Sequence, residues 1–299
     1  AGFLFGFETA VISGADKPIQ ELWGLSDLQH GLFIMSMALW GTVLGAIFGN
    51  WPTDRLGRRT TLFIIGVLYF VSAVGSALAT DPFWFSFFRL IGGFGVGMSS
   101  VAAPAYISEI APAERRGNLV ALYQFNVVFG IFMAYVSNAI LGSLLGDDAW
   151  RWMVGIEAIP ALVYTLALLK VPESPRWLIL NRNDTRAAAK VLDQIDPHRD
   201  NQAQIEEIQA ADREDSKVHS RFFSRRYRLP IVLAFLIAFF NQFTGINFVL
   251  YYAPRILESA QLGDNAALLS TAGIGLIMVI FTMIGMSLID RFGRRTLMY

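Results

Sequence analysis

Cysteine is absent from the 299-residue sequence, which excludes disulfides, thiolate nucleophiles and cysteine-held metals. Histidine is scarce: His30, His198 and His219 are the only three, all in or beside stretches that read as loops, where a solvated imidazole is expected. Charge is scarce as well. Charged residues make up 16% of the chain and the formal net charge is zero, against about 25% charged residues in an ordinary soluble domain. No segment has the layout of a cleavable signal peptide. The opening tract from Ala1 to Gly14 is apolar from its first residue and has no basic flank, which predicts a sequence that begins part-way through a helix. Metal-ligand spacings, a catalytic triad and a phosphate loop are all missing from the pattern, so neither an enzyme nor a cofactor is expected, and nothing points to a nucleic-acid partner. Gly92-Gly93-Phe94-Gly95-Val96-Gly97 has glycines at nucleotide-loop spacing, but it lies inside a long apolar run with no preceding strand. Close helix packing through small residues is its expected role.

What the chain does have is apolar length. Hydrophobic residues reach 54%, and they are gathered into tracts long enough to cross a bilayer. Hydropathy predicts eight spans, near 1–15, 29–51, 61–80, 83–108, 117–145, 150–171, 229–252 and 266–289. The stretch 172–228 between the sixth and seventh carries 11 basic and 10 acidic residues and cannot be embedded in lipid. Within it, the run from Asp184 to Leu192 predicts a capped, amphipathic helix facing solvent. The segments 52–60, 109–116, 172–228 and 290–295 hold 3, 2, 11 and 3 Lys and Arg residues, 19 of the 24. The positive-inside rule places this group in the cytoplasm, with the first helix running outward.

One repeat organises the rest. Asp54-Arg55-Leu56-Gly57-Arg58-Arg59 recurs as Asp290-Arg291-Phe292-Gly293-Arg294-Arg295, six predicted spans later. A parallel duplication of six-helix halves accounts for that spacing. The expected division is a first bundle over 1–171, a cytoplasmic helical linker over 172–228, and the first two helices of a second bundle over 229–299. About four helices of that second half would lie outside this sequence, and alternating access needs both bundles.

Three longer motifs sharpen the reading. They are Pro104-x-Tyr106-x-x-Glu109-x-x-Pro112-x-x-x-Arg116-Gly117, Pro172-Glu173-Ser174-Pro175-Arg176-Trp177-Leu178, and Gln242-x-x-Gly245-x-Asn247-x-x-x-Tyr251-Tyr252. Together with Gly49 and the repeated Asp-Arg-x-Gly-Arg-Arg element, they make the chain resemble the sugar porter family of the major facilitator superfamily over essentially its whole length. Within that family the likeness is greatest to bacterial proton-coupled symporters. The resemblance implies an all-α membrane protein of the major facilitator fold, two six-helix bundles, here cut to about eight transmembrane helices. It further implies a multi-pass protein of the bacterial inner membrane, acting as a monomer, whose partners are a monosaccharide, the proton and the lipid bilayer.

Three ionisable side chains fall inside predicted spans: Glu8 in the first, Arg89 in the fourth and Glu157 in the sixth. Each costs about 2.5–3.5 kcal/mol at mid-bilayer and therefore needs a partner or a task. By the resemblance, Glu8 stands where the symporters carry a proton-bearing aspartate, Arg89 is its partner, and Glu157 matches a further acid of the bacterial symporters. Uniporters of the family have asparagine at the position of Glu8, so an acid there favours symport. An arginine partner favours the ionised form of a carboxyl group, and a dry site without one favours the neutral form. A pair that forms in one conformation and breaks in the other would thus take up and release a proton. The drive available is about 1.4 kcal/mol per pH unit plus about 2.3 kcal/mol per 100 mV. The alternative is a static ion pair between the first and fourth helices, in a uniporter or in a non-transporting sugar sensor.

A sugar calls for neutral hydrogen-bonding groups and an apolar ring face. Gln242, Asn247 and Tyr251 have helical spacings that place them on roughly one face; Gln124 offers a matching amide from the first half, and Phe5 a ring to pack on. Interhelical hydrogen bonds are the competing role for such amides. The chain departs from the family pattern at Asn241, where a glutamine is usual, and at Met278, where an asparagine is; Ile131 is also apolar. A pentose, a hexose or a polyol would each suit these residues. Finally, the resemblance implies that Asp54, Arg55, Arg58, Glu109, Arg116, Glu173, Arg176, Asp290, Arg291 and Arg294 form ion pairs that close the cytoplasmic side. A set of solvated, topology-setting charges is the alternative.

Overall fold

The computed structural model describes residues 1–112, 116–197, 200–217, 227–261 and 263–296. His198 and His219 lie outside them. The described residues are almost entirely helical. Five long helices follow α1 (Gly2–Leu22) in the first half: α2 (Asp27–Phe48), α4 (Arg58–Leu78), α5 (Pro82–Ile110), α6 (Arg116–Leu145) and α7 (Ala149–Leu168), with the short α3 (Asn50–Leu56) between α2 and α4. Three linker helices come next, α8 (Pro175–Leu180), α9 (Thr185–Ile195) and α10 (Asn201–Lys217). The chain then returns through α11 (Arg228–Phe243), α12 (Ile246–Ser259) and α13 (Asp264–Thr296).

Seven described segments are long and apolar enough to cross a membrane. The eighth expected span is α1, which misses that standard because Glu8, Asp16, Lys17 and Glu21 lie along it. It also runs seven residues past the expected end at residue 15. Hydropathy reads Asp16, Lys17 and Gln20 as loop; the fold keeps them helical because each finds a partner on another element. At 21 residues and 1.5 Å per residue the helix is about 31 Å long, the thickness of a hydrocarbon core.

Helix starts follow local chemistry. Asp81 caps α5 by accepting from the backbone N–H groups of Phe83 and Trp84 at 3.0 and 3.1 Å, with Pro82 in the first turn. Ser174 caps α8 through Trp177 N–H, and Asp184 caps α9 through Ala187 N–H at 2.9 Å, the cap that the sequence predicts. The linker helices bury a small cluster of Ile179, Ala188, Leu192 and Ile205.

Glycine sets the closest helix contact. α2 and α5 cross through Gly41 and Gly45 on one side and Gly93 and Gly97 on the other; a Cβ at any of the four would strike the backbone of the opposite helix. The Gly92–Gly97 run is thus a packing surface. On the outer faces, large apolar residues such as Trp40, Ile47, Phe83, Ile159, Phe235 and Phe240 are exposed, as expected where lipid is the solvent.

Three long segments are interrupted. α2 is π-helical over His30–Met35 and resumes as α-helix at Met37–Phe48 after Ser36. α7 loses its regular pattern at Ile156–Glu157, between Ala149–Gly155 and Ala158–Leu168. The seventh span breaks at Thr244–Gly245 into α11 and α12, with Gly245 at φ 74°, a left-handed conformation that glycine adopts without steric cost. Gln242, Asn247 and Tyr251 therefore do not share one continuous helical face, contrary to the expectation from spacing alone.

Candidate functional site: a buried charge cluster and a broken helix

Glu8 and Arg89 meet in the interior. Arg89 Nη1 donates to Glu8 Oε1 at 2.5 Å and Nη2 to the Glu8 backbone carbonyl at 3.1 Å, with both side chains no more than 2% exposed. α1 and α5 supply them, and Gly92 permits the approach: a side chain there would collide with Glu8 Oε1 and with Ser72 Oγ of α4. Glu157, at the break in α7, is fully buried, and among the described residues neither carboxylate oxygen has a hydrogen-bond partner. It is close enough to interact electrostatically with Glu8 and Arg89. Two buried carboxyl groups thus lie in reach of one guanidinium, which pairs directly with Glu8 alone. Fully ionised, the cluster would carry an excess negative charge in a low-dielectric interior; one proton on either carboxyl makes it neutral. Tyr69 is completely buried beside the cluster, with a hydroxyl that no described group satisfies.

The amide residues lie on the broken helix, apart from Gln124, which is on α6. Asn247 Nδ2 donates to Gln242 Oε1 at 2.7 Å across the break. Gln242, Asn241 and Gln124 are exposed, and the Asn241 carbonyl accepts from Thr244 Oγ1. Tyr251 turns inward, 5% exposed, into a cluster with Ile12, Ala15 and Trp150, and it lies within electrostatic reach of Arg89 and Glu8. Phe5 is half-buried where α1 packs on α6, near Val127 and Ile131; Met278 of α13 packs on the edge of the same cluster. The structure thus brings together Glu8, Arg89, Glu157 and Tyr251, and separately Gln242 with Asn247.

At the end of the bundle where the basic segments gather, a second network forms. Arg58 bridges Glu109 at 2.9 Å and Asp54 at 3.3 Å, and donates to the Thr53 carbonyl. Glu173 accepts from the backbone N–H of Arg59 at 3.0 and 3.2 Å, through its two oxygens. α4 has no side-chain cap of its own, because Gly57, at φ 96°, precedes it. A carboxylate from the linker supplies the cap and complements the helix dipole. Arg59 in turn donates to the carbonyls of Leu168 and Leu169, Trp177 Nε1 to that of Asp54, and Tyr106 OH to that of Pro172. Arg55 stacks over Trp51 at 5.1 Å. Arg116 and Arg176 line a cavity of about 750 Å³ with Glu109, Asp196 and Glu207. The side chains of Asp290, Arg291 and Arg294 lie outside the described set.

Sequence reasoning missed a third group, at the opposite end. His30, expected in solvent, is 2% exposed: it sits on a π-helical turn at the start of α2 and its Nε2 lies 2.6 Å from Asp16 Oδ1. Burial follows from that partner, which lies 14 residues earlier on another helix and leaves no periodic signal. Arg59, Tyr106 and Trp177, each a letter of a quoted motif, join the basic-end network although they are not among the expected ion-pair residues.

The helical order, the buried charges on the first-half helices and the repeated basic element are those of the major facilitator fold. The family profile described as "Sugar (and other) transporter" matches residues 1–299. The glucose transport protein of Synechocystis is 41% identical over 311 residues, covering 99% of this chain and 66% of that protein. The D-xylose-proton symporter of Escherichia coli is 35% identical over 326 residues, again covering 99% and 66%. The solved xylose transporter of Escherichia coli, in a partially occluded inward open conformation, superimposes with a TM-score of 0.86 at 35% identity, over 99% of this chain and 72% of that one. The chain therefore belongs to the sugar transporter family of the major facilitator superfamily. It spans about two thirds of the length of the curated relatives that it matches.

Proposed function

We propose that the protein of which this chain forms the larger part is a proton-coupled symporter of a monosaccharide, working by alternating access, with Glu8 as proton carrier and Arg89 as its partner. The observation that carries the reading is the cluster itself: two buried carboxyl groups against one guanidinium, a composition that favours binding one proton. Glu157 shares that proton with Glu8. Tyr251 is buried on α12 within electrostatic range of the cluster, and the same helix bears Asn247, paired with Gln242 across the Gly245 break. A rearrangement of that break on sugar binding would be felt at Arg89 through Tyr251. Gln124, Asn241, Gln242 and Asn247 supply the amide contacts and Phe5 the ring face; the basic end lies in the cytoplasm, and its network with Asp290, Arg291 and Arg294 closes that side.

Uniport has one observation in its favour. Arg89 also binds the Glu8 backbone carbonyl, a contact indifferent to the state of the carboxyl, as a purely structural pair would make. The full-length transporter in proteoliposomes with an external pH probe separates the two. Under symport, sugar addition makes the outside alkaline, and Glu8→Gln abolishes this while sugar exchange survives. Sugar entry with no pH change in the unmodified protein refutes coupling.

A further inference from the structure

The end of the bundle opposite the basic segments carries charges that the transport reading leaves unused. Asp16, in the last turns of α1, is 3% exposed, and its two oxygens are divided between two partners. Oδ1 faces His30 Nε2 at 2.6 Å, within the same half of the duplication. Oδ2 accepts from Arg255 Nε at 2.8 Å, across to α12 of the second half. Because an ionised carboxylate can only accept, His30 Nε2 carries the hydrogen in this pair. Arg255 also donates through Nη2 to Gln20 Oε1 at 2.6 Å, and Gln20 Nε2 is held by Asp27 Oδ1 at 2.7 Å. A second bridge, Lys17 to Glu258 at 3.2 Å, joins the same two helices one residue further along α1 and three further along α12, with Lys17 at 42% exposure.

We propose that Asp16 and Arg255 are the residues that hold the two halves together on this side during the transport cycle, with His30 as the positioning residue that keeps Asp16 turned toward Arg255. Calling it the extracellular side rests on the orientation proposed above; the pairing itself does not. When α12 swings away from α1, Arg255 leaves and Asp16 remains buried with His30 alone. Losing the charged partner of a buried carboxylate is costly, so the contact biases the transporter toward closure here. The Lys17–Glu258 pair, 42% and 20% exposed, is better solvated than Asp16 and adds less to that bias. His30 satisfies one oxygen of Asp16 permanently and leaves the other as the single exchangeable contact.

The test uses the full-length transporter with spin labels at Leu22 and Ser259, the exposed ends of α1 and α12, and pulsed distance measurements without sugar. Asp16→Asn and Arg255→Gln are each expected to raise the ratio of the long-distance form to the short one about tenfold, the scale of a typical coupling between two states. The double variant should match either single one, since both remove the same contact. His30→Leu should shift the ratio in the same direction, His30→Gln should restore most of it through its amide donor, and Lys17→Ala should change it less than about twofold. Arg255 is 36% exposed, so Arg255→Gln remains informative if Asp16→Asn does not fold. Distances in Arg255→Gln that superimpose on the unmodified protein, or single effects that add in the double variant, overturn the proposal. The readout involves neither sugar nor proton, so its outcome is independent of whether symport holds.

Discussion

Replacing Arg89 by leucine gives the most direct measure of the buried cluster. Arg89 is 2% exposed and contributes one 2.5 Å bond to the Glu8 carboxylate and one 3.1 Å bond to its carbonyl. Leucine fills part of the volume but leaves Glu8 and Glu157 facing each other with no compensating charge. Breaking a buried ion pair by removing one partner costs about 3–5 kcal/mol. Glu8→Gln alone removes the charge and keeps a hydrogen-bonding oxygen for Arg89, and so should cost about half as much. In the combined variant neither member of the pair is left without the other, Glu157 alone remains and a proton neutralises it, and the loss should fall well short of the sum. The expected coupling energy is about 2 kcal/mol or more, against 0–1 kcal/mol for a solvated pair. Reversible unfolding in mixed micelles, titrating a denaturing detergent into the four forms, reads this directly. Additivity to within about 0.5 kcal/mol would show that the two side chains do not act as a unit and would remove the physical basis for placing a proton between them.

Two further perturbations probe the scaffold. Gly93→Val drives a branched side chain into the backbone of α2 near Ala38; because backbone cannot yield as a side chain does, the loss should exceed the usual 1–3 kcal/mol of overpacking and appear in size-exclusion chromatography as a collapse of the monodisperse peak. Glu173→Ala uncaps α4 from a distance and should lower stability by about 1–2 kcal/mol, seen as an earlier thermal transition in detergent; Glu173→Gln, which keeps an acceptor but loses the charge, should recover roughly half.

The sequence was most legible where one residue type carries one message. Apolar length located the second to sixth spans to within about three residues, although α12 and α13, like α1, run seven residues past the expected ends; the small residues of Gly92–Gly97 announced the tight crossing that they make. Asp184 predicted its own helix start. Glu8, Arg89 and Glu157 stood out because a charge in an apolar tract is conspicuous whatever its neighbours. What stayed hidden depends on pairs brought together by folding. Asp16 made α1 look finished seven residues early, since a solitary acid after an apolar run normally means loop, and only Arg255, 239 positions later, and His30 make it a helical residue. Gly245 reads in sequence as one letter of a motif, yet its positive φ divides the seventh span and sets Gln242 on a different helix from Asn247 and Tyr251. Hydropathy carries no term for either effect.

The cap on α4 also imposes an order of events during synthesis. Arg59 and Glu173 are 114 residues apart, and at about 5–20 residues per second the ribosome takes roughly 6–23 s to travel between them. Through that interval the third long helix exists with its leading turn open, while α5, α6 and α7 are being threaded into the membrane beside it. The first bundle can therefore reach its final packing only when the linker begins to emerge. A segment outside the membrane closes the folding of the segments within it, and a chain arrested before Pro172 would be left with a bundle whose helices are all present but whose basic end is unfastened.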